Sequence, residues 1–281
     1  MAYNAVKNNT ETGNKTSQQR TRILGPVTDP EQYVRPDWWR NIFNSIYLKT
    51  DADVVEDQNI TLKEVDLFSG ILSLSADDQI LDLACGQGRH TLELVSRGFQ
   101  AEGLDHSRYL ISRAKNIARK KGLNVKFREG DARNLPYQPD AFDVVMILGN
   151  SFGYFETVRD DLRILKEIHR VLKPWGRVLI DVADGQHMKA HFQPRSWEWI
   201  DKKLFVCRER SLSADRQRLI SREVVTDVHK GVIADQFYAE RLYSEEELLR
   251  LFEVAGIQEI AIQGTISPDS LRKQDLGMME K

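Results

Sequence analysis

The stretch Leu81-Asp82-Leu83-Ala84-Cys85-Gly86-Gln87-Gly88-Arg89-His90 decides the fold. An apolar run over residues 79–84 predicts a buried strand, which ends in a turn that holds two glycines. Glycine in such a turn permits a positive φ and lets a ligand approach the backbone closely. A helical pattern follows over residues 89–97 and stops at Gly98. The stretch therefore predicts a strand, a tight turn and a helix.

The same alternation continues downstream. Further strand patterns at 100–104, 125–129, 142–148 and 177–183 alternate with helical patterns over 107–121 and 160–172. Such alternation predicts a parallel sheet with right-handed crossovers.

The alternation of strand and helix patterns ends after the fifth strand. Strand patterns at 204–210, 219–228 and 232–243 follow one another without helices, so we expect an antiparallel insertion. A helix should begin after Ser244, which forms a capping box with Glu247, and end at Gly256. Residues 257–263 alternate as one more strand.

Both ends of the chain differ from this core. Residues 1–22 are polar and predict a disordered tail. Aromatic residues then recur at helical spacing after Asp37, a candidate helix cap, and a second helix is expected over 62–72. These aromatic residues serve either as core or as a lid over a pocket. The predicted units are a disordered tail at 1–22, an N-terminal helical lid at 23–76, a cofactor-binding core at 77–184, an insertion at 185–243 and a C-terminal helix and strand at 244–281.

Acidic residues recur at the strand ends of the core. Asp105 ends the second strand, Gly130-Asp131-Ala132 follows the third, and residues 170–176 lead into the fifth. With the glycine turn, these motifs resemble the class I S-adenosylmethionine-dependent methyltransferases over residues 77–183. The resemblance implies a doubly wound, mostly parallel α/β Rossmann-like sheet, with strand seven antiparallel, and S-adenosyl-L-methionine as cofactor.

The resemblance also implies roles for single residues. The glycines would approach the amino-acid half of the cofactor, Asp82 would orient it, Asp105 would hold the ribose and Asp131 would face the adenine. Trp175 stands where the family usually has glycine. The expected cofactor-binding residues are Asp82, Ala84, Gly86, Gly88, Asp105, His106, Asp131, Ala132 and Leu148. A nicotinamide dehydrogenase is the competing interpretation, but its third glycine is replaced by Thr91.

The end of the fourth strand bears on the acceptor. Residues 149–154 lack the Asn/Asp-Pro-Pro-aromatic and Pro-Cys runs typical of nucleic-acid base methyltransferases. A net charge of −2 and a pI of about 6.3 also argue against broad binding of phosphate backbones. We therefore expect a small-molecule amine or hydroxyl acceptor. The alternatives are a protein or peptide methyltransferase and a non-catalytic regulatory module that binds the cofactor.

Candidate acceptor residues lie where strands four and five end. We expect His187, Tyr154 and Asn150 to be catalytic, and a metal is not expected. Arginine pairs bidentately with carboxylate or phosphate, so inward arginines would suit an acceptor with an anionic group. The alternative is a set of Arg–Glu pairs on a solvated sheet face. The expected substrate-binding residues are Tyr33, Trp38, Arg195, Arg210, Arg222 and Arg241.

Composition limits the cellular context. No apolar run approaches the roughly 20 residues that cross a bilayer, and the N-terminus has no apolar signal core, which predicts a cytoplasmic protein without membrane partners. Residues 264–281 are too polar to complete a seventh strand. They suggest fusion to, or excision from, a longer polypeptide, the alternative being a shortened sheet edge.

Overall fold

A computed structural model describes residues 25–263, which form two β-sheets flanked by helices. The first sheet is parallel, with strand order β3-β2-β1-β4-β5. The point where the strand order reverses lies between β1 and β4, which is where ligands bind in open α/β sheets. The strands of this sheet are β1 (Gln79–Leu83), β2 (Gln100–Asp105), β3 (Phe127–Glu129), β4 (Phe142–Ile147) and β5 (Leu172–Ile180). The predicted fold class is confirmed, although residues 25–263 add no antiparallel strand to this sheet, where a seventh strand was expected.

Helices cover both faces of this sheet because its strands are apolar on both sides. Even-numbered residues such as Ile80 and Val144 pack against α4 and α5, whereas Leu81 and Val145 pack against α7 and α9. No helix in residues 25–263 is long and apolar enough to span a membrane. The helices are α1 (Trp39–Ile42), α2 (Tyr47–Thr50), α3 (Ala52–Val55), α4 (Gln58–Leu72), α5 (Arg89–Ser96), α6 (Arg108–Lys121), α7 (Val158–Val171), α8 (Gly185–His191) and α9 (Glu245–Ala255).

The second sheet is antiparallel and follows β5 in the chain, as the sequence predicted. Its order is β6-β7-β8-β9, with β6 (Arg195–Trp199), β7 (Leu204–Leu212), β8 (Arg218–Asp227) and β9 (Gly231–Arg241). Strand β6 was missed because its residues are charged and aromatic, and most of its surface remains exposed at the sheet edge. After β9, Ser244 and Glu247 form the expected capping box and Gly256 ends α9.

The prediction of one continuous helix after Asp37 is wrong. The segment forms three helices of one turn each, and Asp37 pairs with Arg35 instead of capping. The Asn44 side chain accepts a hydrogen bond from the Ile46 N–H at 2.7 Å. Such local side-chain bonds compete with the helical ladder, which explains the interruption between α1 and α2.

The strand expected at residues 257–263 is also wrong. These residues have no strand partner among the described residues, and Glu259 has a φ of 56°, which interrupts an extended backbone. Trp175 has a φ of 68° and is 94% exposed, so tryptophan stands where the left-handed backbone favours glycine. The expectations for residues 1–22 and 264–281 lie outside the described residues.

Gly185 is the first residue of α8, which lies between the two sheets in the chain, and it provides a test of the fold. A Cβ at this residue would lie 2.3 Å from the carbonyl oxygen of Tyr243, which belongs to rigid backbone. We expect Gly185→Ala to lower the free energy of unfolding by about 1–3 kcal/mol, the usual cost of overpacking. Gly70 lies inside α4, and a Cβ there meets nothing within 4 Å.

The matched control is therefore Gly70→Ala, which should raise stability by roughly 0.5–1 kcal/mol because alanine favours a helix interior. Urea unfolding of both variants measures the difference. Equal stability of the two variants would contradict the close approach at Gly185.

Candidate functional site

The glycine turn after β1 is shaped by close packing. Gly88 has a φ of 79°, and a Cβ there would lie 2.6 Å from the Phe127 ring, so a larger residue does not fit. Asp82 in β1 is buried and accepts a hydrogen bond from the Thr91 hydroxyl at 2.6 Å. Burial raises the pKa of Asp82. These contacts hold the turn in one conformation at the carboxyl end of the central strand.

Asp105, the last residue of β2, connects two loops. Its Oδ2 accepts the Gly86 N–H at 2.8 Å and its Oδ1 accepts the Ser107 N–H at 2.7 Å. Burial raises the pKa of Asp105 to about 6, although both hydrogen bonds act in the opposite direction. Each carboxylate oxygen accepts more than one hydrogen bond, so the carboxylate retains capacity for two ligand hydroxyl groups.

A buried charged cluster supports the same turn from below. Glu64 of α4 contacts the guanidinium group of Arg89 and lies 2.8 Å from Nε2 of His90. Burial lowers the pKa of His90, with Arg89 acting in the same direction. His90 therefore links the start of α5 to α4 and stabilises the turn between β1 and α5.

An aromatic and ionic cluster lies beyond β3. Arg133 donates to Oδ1 of Asp131 at 3.0 Å and to its Oδ2 at 2.7 Å, and its guanidinium group lies 4.2 Å from the centre of the Phe155 ring. Burial opposes ionisation of Asp131, but the hydrogen bonds from Arg133 outweigh it and lower the pKa. Trp39 packs edge-on against His106 at 4.5 Å and against Phe155 at 4.9 Å.

The segment 38–55, which we call the cap, is tied to both loops. The Ser107 hydroxyl donates to the Phe43 carbonyl at 2.6 Å, and Nε2 of Gln87 donates to the Val55 carbonyl at 2.7 Å. The cap therefore lies over the carboxyl ends of β1 and β2.

A cavity of about 140 Å³ lies between the cap, the loop after β4 and one face of the antiparallel sheet. We call it the acceptor cavity. Its wall combines aromatic rings with charged groups. The cap and loop residues are Trp38, Ile42, Phe43, Tyr47, Thr50, Asp51, Asp53, Gly149, Asn150, Ser151 and Tyr154, and the sheet residues are Glu198, Arg208, Arg210, Glu223, Gln236, Tyr238 and Glu240.

Two of the three predicted catalytic residues line this cavity. Nδ2 of Asn150 donates to Oε2 of Glu240 at 2.7 Å, and its Oδ1 accepts the Ala183 N–H at 2.9 Å, so Asn150 holds Glu240 in place. Tyr154 packs against Trp38 with ring centres 5.4 Å apart. Burial raises the pKa of Tyr154, which keeps its hydroxyl protonated.

The third, His187, is not brought to the acceptor cavity. It lies in α8, stacks on His191 with ring centres 4.3 Å apart, and lines a separate groove beside β5. The sequence placed His187 after the fifth strand, but α8 turns its side chain away from the end of β4.

Two of the predicted substrate arginines, Arg210 and Arg222, lie on opposite faces of the antiparallel sheet. Alternate residues of a strand point to opposite faces, and Arg210 shares the cavity face with Arg208, which was not among the predicted substrate residues. Arg222 lies on the other face, where it pairs with Asp235 at 2.8 Å.

The remaining predicted substrate residues also lie away from the cavity. Arg195 has a side chain that is 84% exposed, and Nε of Arg241 lies 3.4 Å from the buried Asp161. Tyr33 stacks on Phe237 at 5.1 Å, and neither lines the cavity. At least one of the four predicted arginines was expected to point inward, and Arg210 lines the cavity together with Trp38, whereas Arg195, Arg222 and Arg241 do not.

Carboxyl groups outnumber arginines in the cavity wall. Arg208 donates to Glu223 at 2.8 Å and also contacts Glu198, and Arg210 donates to Ser196 at 3.0 Å. Five carboxyl groups stand against these two arginines, namely Asp51, Asp53, Glu198, Glu223 and Glu240.

Asp51 makes no ion pair with a described residue. Within the cap, its Oδ2 accepts a hydrogen bond from the Thr50 hydroxyl at 2.8 Å. Burial raises the pKa of Asp51 to about 7, Glu223 acts in the same direction, and Arg208 opposes both. A sequence signal for this residue was absent because an Asp in a cap helix usually faces solvent.

Known proteins share this architecture. A family model described as a methyltransferase domain matches residues 74–255, and the chain belongs to that family. It is thereby one of the S-adenosylmethionine-dependent methyltransferases. A solved S-adenosylmethionine-dependent methyltransferase from Clostridium acetobutylicum has the same fold, with a TM-score of 0.62 and 23% identity over 75% of this chain and 84% of that one.

Curated relatives match about half of this chain. The demethylmenaquinone methyltransferase of Lactococcus lactis is 37% identical over 149 residues, which are 50% of this chain and 56% of that protein. The 27-O-demethylrifamycin SV methyltransferase of Amycolatopsis mediterranei is 30% identical over 44% of this chain and 47% of that protein. The chain thus spans about half the length of these relatives.

Asp105 provides a test of the cofactor site. We expect Asp105→Ala to weaken S-adenosylmethionine binding by about 1.5–3 kcal/mol, the range for hydrogen bonds to a charged group. Calorimetry on the folded variant measures this loss. Asp140→Asn is the control because Asp140 is exposed and left-handed, with a φ of 57° that asparagine tolerates. Unchanged affinity in Asp105→Ala would remove Asp105 from the site.

Asp51 provides a test of the cavity's electrostatics. Its pKa is raised from 3.8 to about 7 on folding, so the folded state binds the proton more tightly and stability from this group is lost as pH rises between these values. Asp51→Asn should therefore raise the free energy of unfolding near pH 8 by roughly 1–3 kcal/mol and leave it unchanged near pH 4. Urea unfolding at both pH values measures the effect, and a variant less stable near pH 8 contradicts it.

Proposed function

We propose that this protein transfers the methyl group of S-adenosylmethionine to an amine or hydroxyl group of a small molecule. The observation that carries the proposal is the acceptor cavity, which adjoins the carboxyl ends of the central strands. Its volume of about 140 Å³ suits a small ring or a short chain.

The residues at the strand ends fit the cofactor. In this proposal the Asp105 carboxylate binds the ribose hydroxyls, and the loop with Asp131 and Ala132 receives the adenine. The turn around Gly86, where a Cβ would meet only Leu110 at 3.9 Å, is open enough for close approach of the amino-acid half. The remaining proposed contacts are Asp82, Ala84, Gly88, His106 and Leu148.

When bound, the cofactor supplies an electrophilic methyl group that an acceptor atom attacks in line with the departing sulfur. The chain's own contribution is alignment and exclusion of water. The cap closes the site through Ser107 and Phe43. The loop around Asn150 lines the acceptor cavity just after β4 ends.

The two named relatives act on small molecules, a demethylmenaquinone and a rifamycin, which supports a small acceptor here. A protein methyltransferase is less well supported because both named relatives act on small molecules. A regulatory module that binds the cofactor without turnover would not require a second cavity beside the cofactor turn.

A combined binding and turnover experiment tests the proposal. We expect the full chain to bind S-adenosylmethionine in calorimetry and to form S-adenosylhomocysteine with members of a panel of small amines and alcohols. A Gly153→Val variant should bind cofactor but lose turnover, because a Cβ there would lie 3.1 Å from the Arg241 carbonyl and displace the loop of the acceptor cavity. Absence of cofactor binding contradicts the proposal. Cofactor binding without turnover across the panel favours the regulatory module instead.

A further inference from the structure

Five carboxyl groups line the acceptor cavity against two arginines, so carboxyl groups are in excess there. Arg208 is already bound to Glu223 and Glu198, and Glu240 lies near Arg210 and accepts from Asn150. Asp51 and Asp53 remain, and neither makes an ion pair with a described residue. Asp53 is exposed to solvent, whereas Asp51 is partly buried. A carboxylate withdrawn from water without an ion-pair partner is costly, so Asp51 favours a ligand that brings positive charge.

The aromatic wall suits the same kind of ligand. Trp38 packs against Tyr154 and against Tyr238, with ring centres 5.4 Å and 5.8 Å apart, and the three rings meet at the cavity. Faces of such rings attract cations, and the attraction grows when water is excluded. An organic cation therefore gains from the rings and from the carboxylate together.

An unsatisfied donor in the wall points to a ligand as well. The indole N–H of Trp38 is buried and has no hydrogen-bond partner among the described residues, although the residue is only 6% exposed. Buried donors are normally bonded, so an oxygen atom on the ligand would complete this one after a small adjustment. No three His, Cys, Asp or Glu side chains in residues 25–263 converge to hold a metal ion, which favours an organic cation.

We propose that the acceptor is an amine that binds as its ammonium ion, with Asp51 as the carboxylate that selects it. Before transfer the ammonium ion gives one proton to the Asp51 carboxylate, and the freed nitrogen lone pair then forms the bond to the methyl carbon as the carbon–sulfur bond breaks. This rests on the proposed methyltransferase function and narrows its substrate class. Asp51 is a specificity residue: it distinguishes an ammonium group from a hydroxyl group of the same size. A neutral alcohol would leave the Asp51 charge uncompensated, whereas an ammonium group cancels it.

Several charged and titratable groups face Asp51 and set its pH dependence. Glu223 and Asp53 favour its protonated form, and Arg208 favours its ionised form. Besides burial, the charge of Asp51 also raises the pKa of three neighbouring tyrosines, namely Tyr47, Tyr154 and Tyr238. Binding of an ammonium ion should therefore strengthen as pH rises from 6 to 8, since Asp51 loses its proton over that range.

A matched pair of probes tests the proposal on the full chain saturated with S-adenosylhomocysteine. The probes are trans-2-aminocyclohexanol and trans-cyclohexane-1,2-diol, which differ in one amine and share one hydroxyl for Trp38. We expect the amine to bind at least tenfold more tightly than the diol at pH 8, and to lose about tenfold in affinity at pH 6. Calorimetric titration measures both.

The variants separate a specific role from a structural one. Asp51→Asn should bind S-adenosylhomocysteine normally but lose both the preference for the amine and its pH dependence, whereas Asp140→Asn should retain both. Equal binding of the two probes by the unaltered protein, no binding of either, or a preference that survives in Asp51→Asn overturns the proposal. Turnover of alcohols without amines would overturn it as well and leave the methyltransferase function standing, whereas loss of that function would show as absent cofactor binding.

Discussion

The site depends on one carboxylate that holds three segments together. Asp105 accepts the backbone N–H groups of Gly86 and Ser107, which fixes the turn after β1 against the start of α6. Ser107 in turn donates to Phe43 of the cap. Without these bonds the buried N–H groups would be unsatisfied, and the cap would lose its anchor over the parallel sheet. The geometry of cofactor turn, cap and acceptor cavity thus follows from the position of an acid at the end of β2.

The parallel sheet could be predicted because its signals are local. Each strand is a short apolar run, each helix has a cap or a stop, and the order of Asp82, Asp105 and Asp131 is fixed by strand ends that meet at one edge of the sheet. The cap was harder to predict. Its aromatic residues have helical spacing, but Asn44 interrupts the helix, and the rings pack on the acceptor cavity and the antiparallel sheet instead.

The substrate residues could not be predicted for a geometric reason. In a strand, a shift of one residue exchanges the two faces, so Arg208 and Arg210 line the cavity while Arg222 faces away. The sequence shows that β8 is a strand but gives no sign of which face meets the cap. The position of the His187 side chain could not be predicted for a similar reason, because the orientation of α8 after β5 decides where that side chain points. The expected strand at 257–263 lacks a neighbour among the described residues, and a strand is stable only when its backbone groups are paired.

The charge pattern of the antiparallel sheet follows from the same alternation and bears on specificity. Its outer face neutralises itself, since Arg222 pairs with Asp235 and Glu209. Its inner face carries Glu198, Glu223 and Glu240, and the cap adds Asp51 opposite them. Withdrawing such a set of carboxyl groups from water costs stability unless a cation balances their charge. A neutral residue in place of Asp51 would remove part of this cost, whereas the carboxylate supplies the charge that, in our proposal, distinguishes an ammonium ligand from a neutral one.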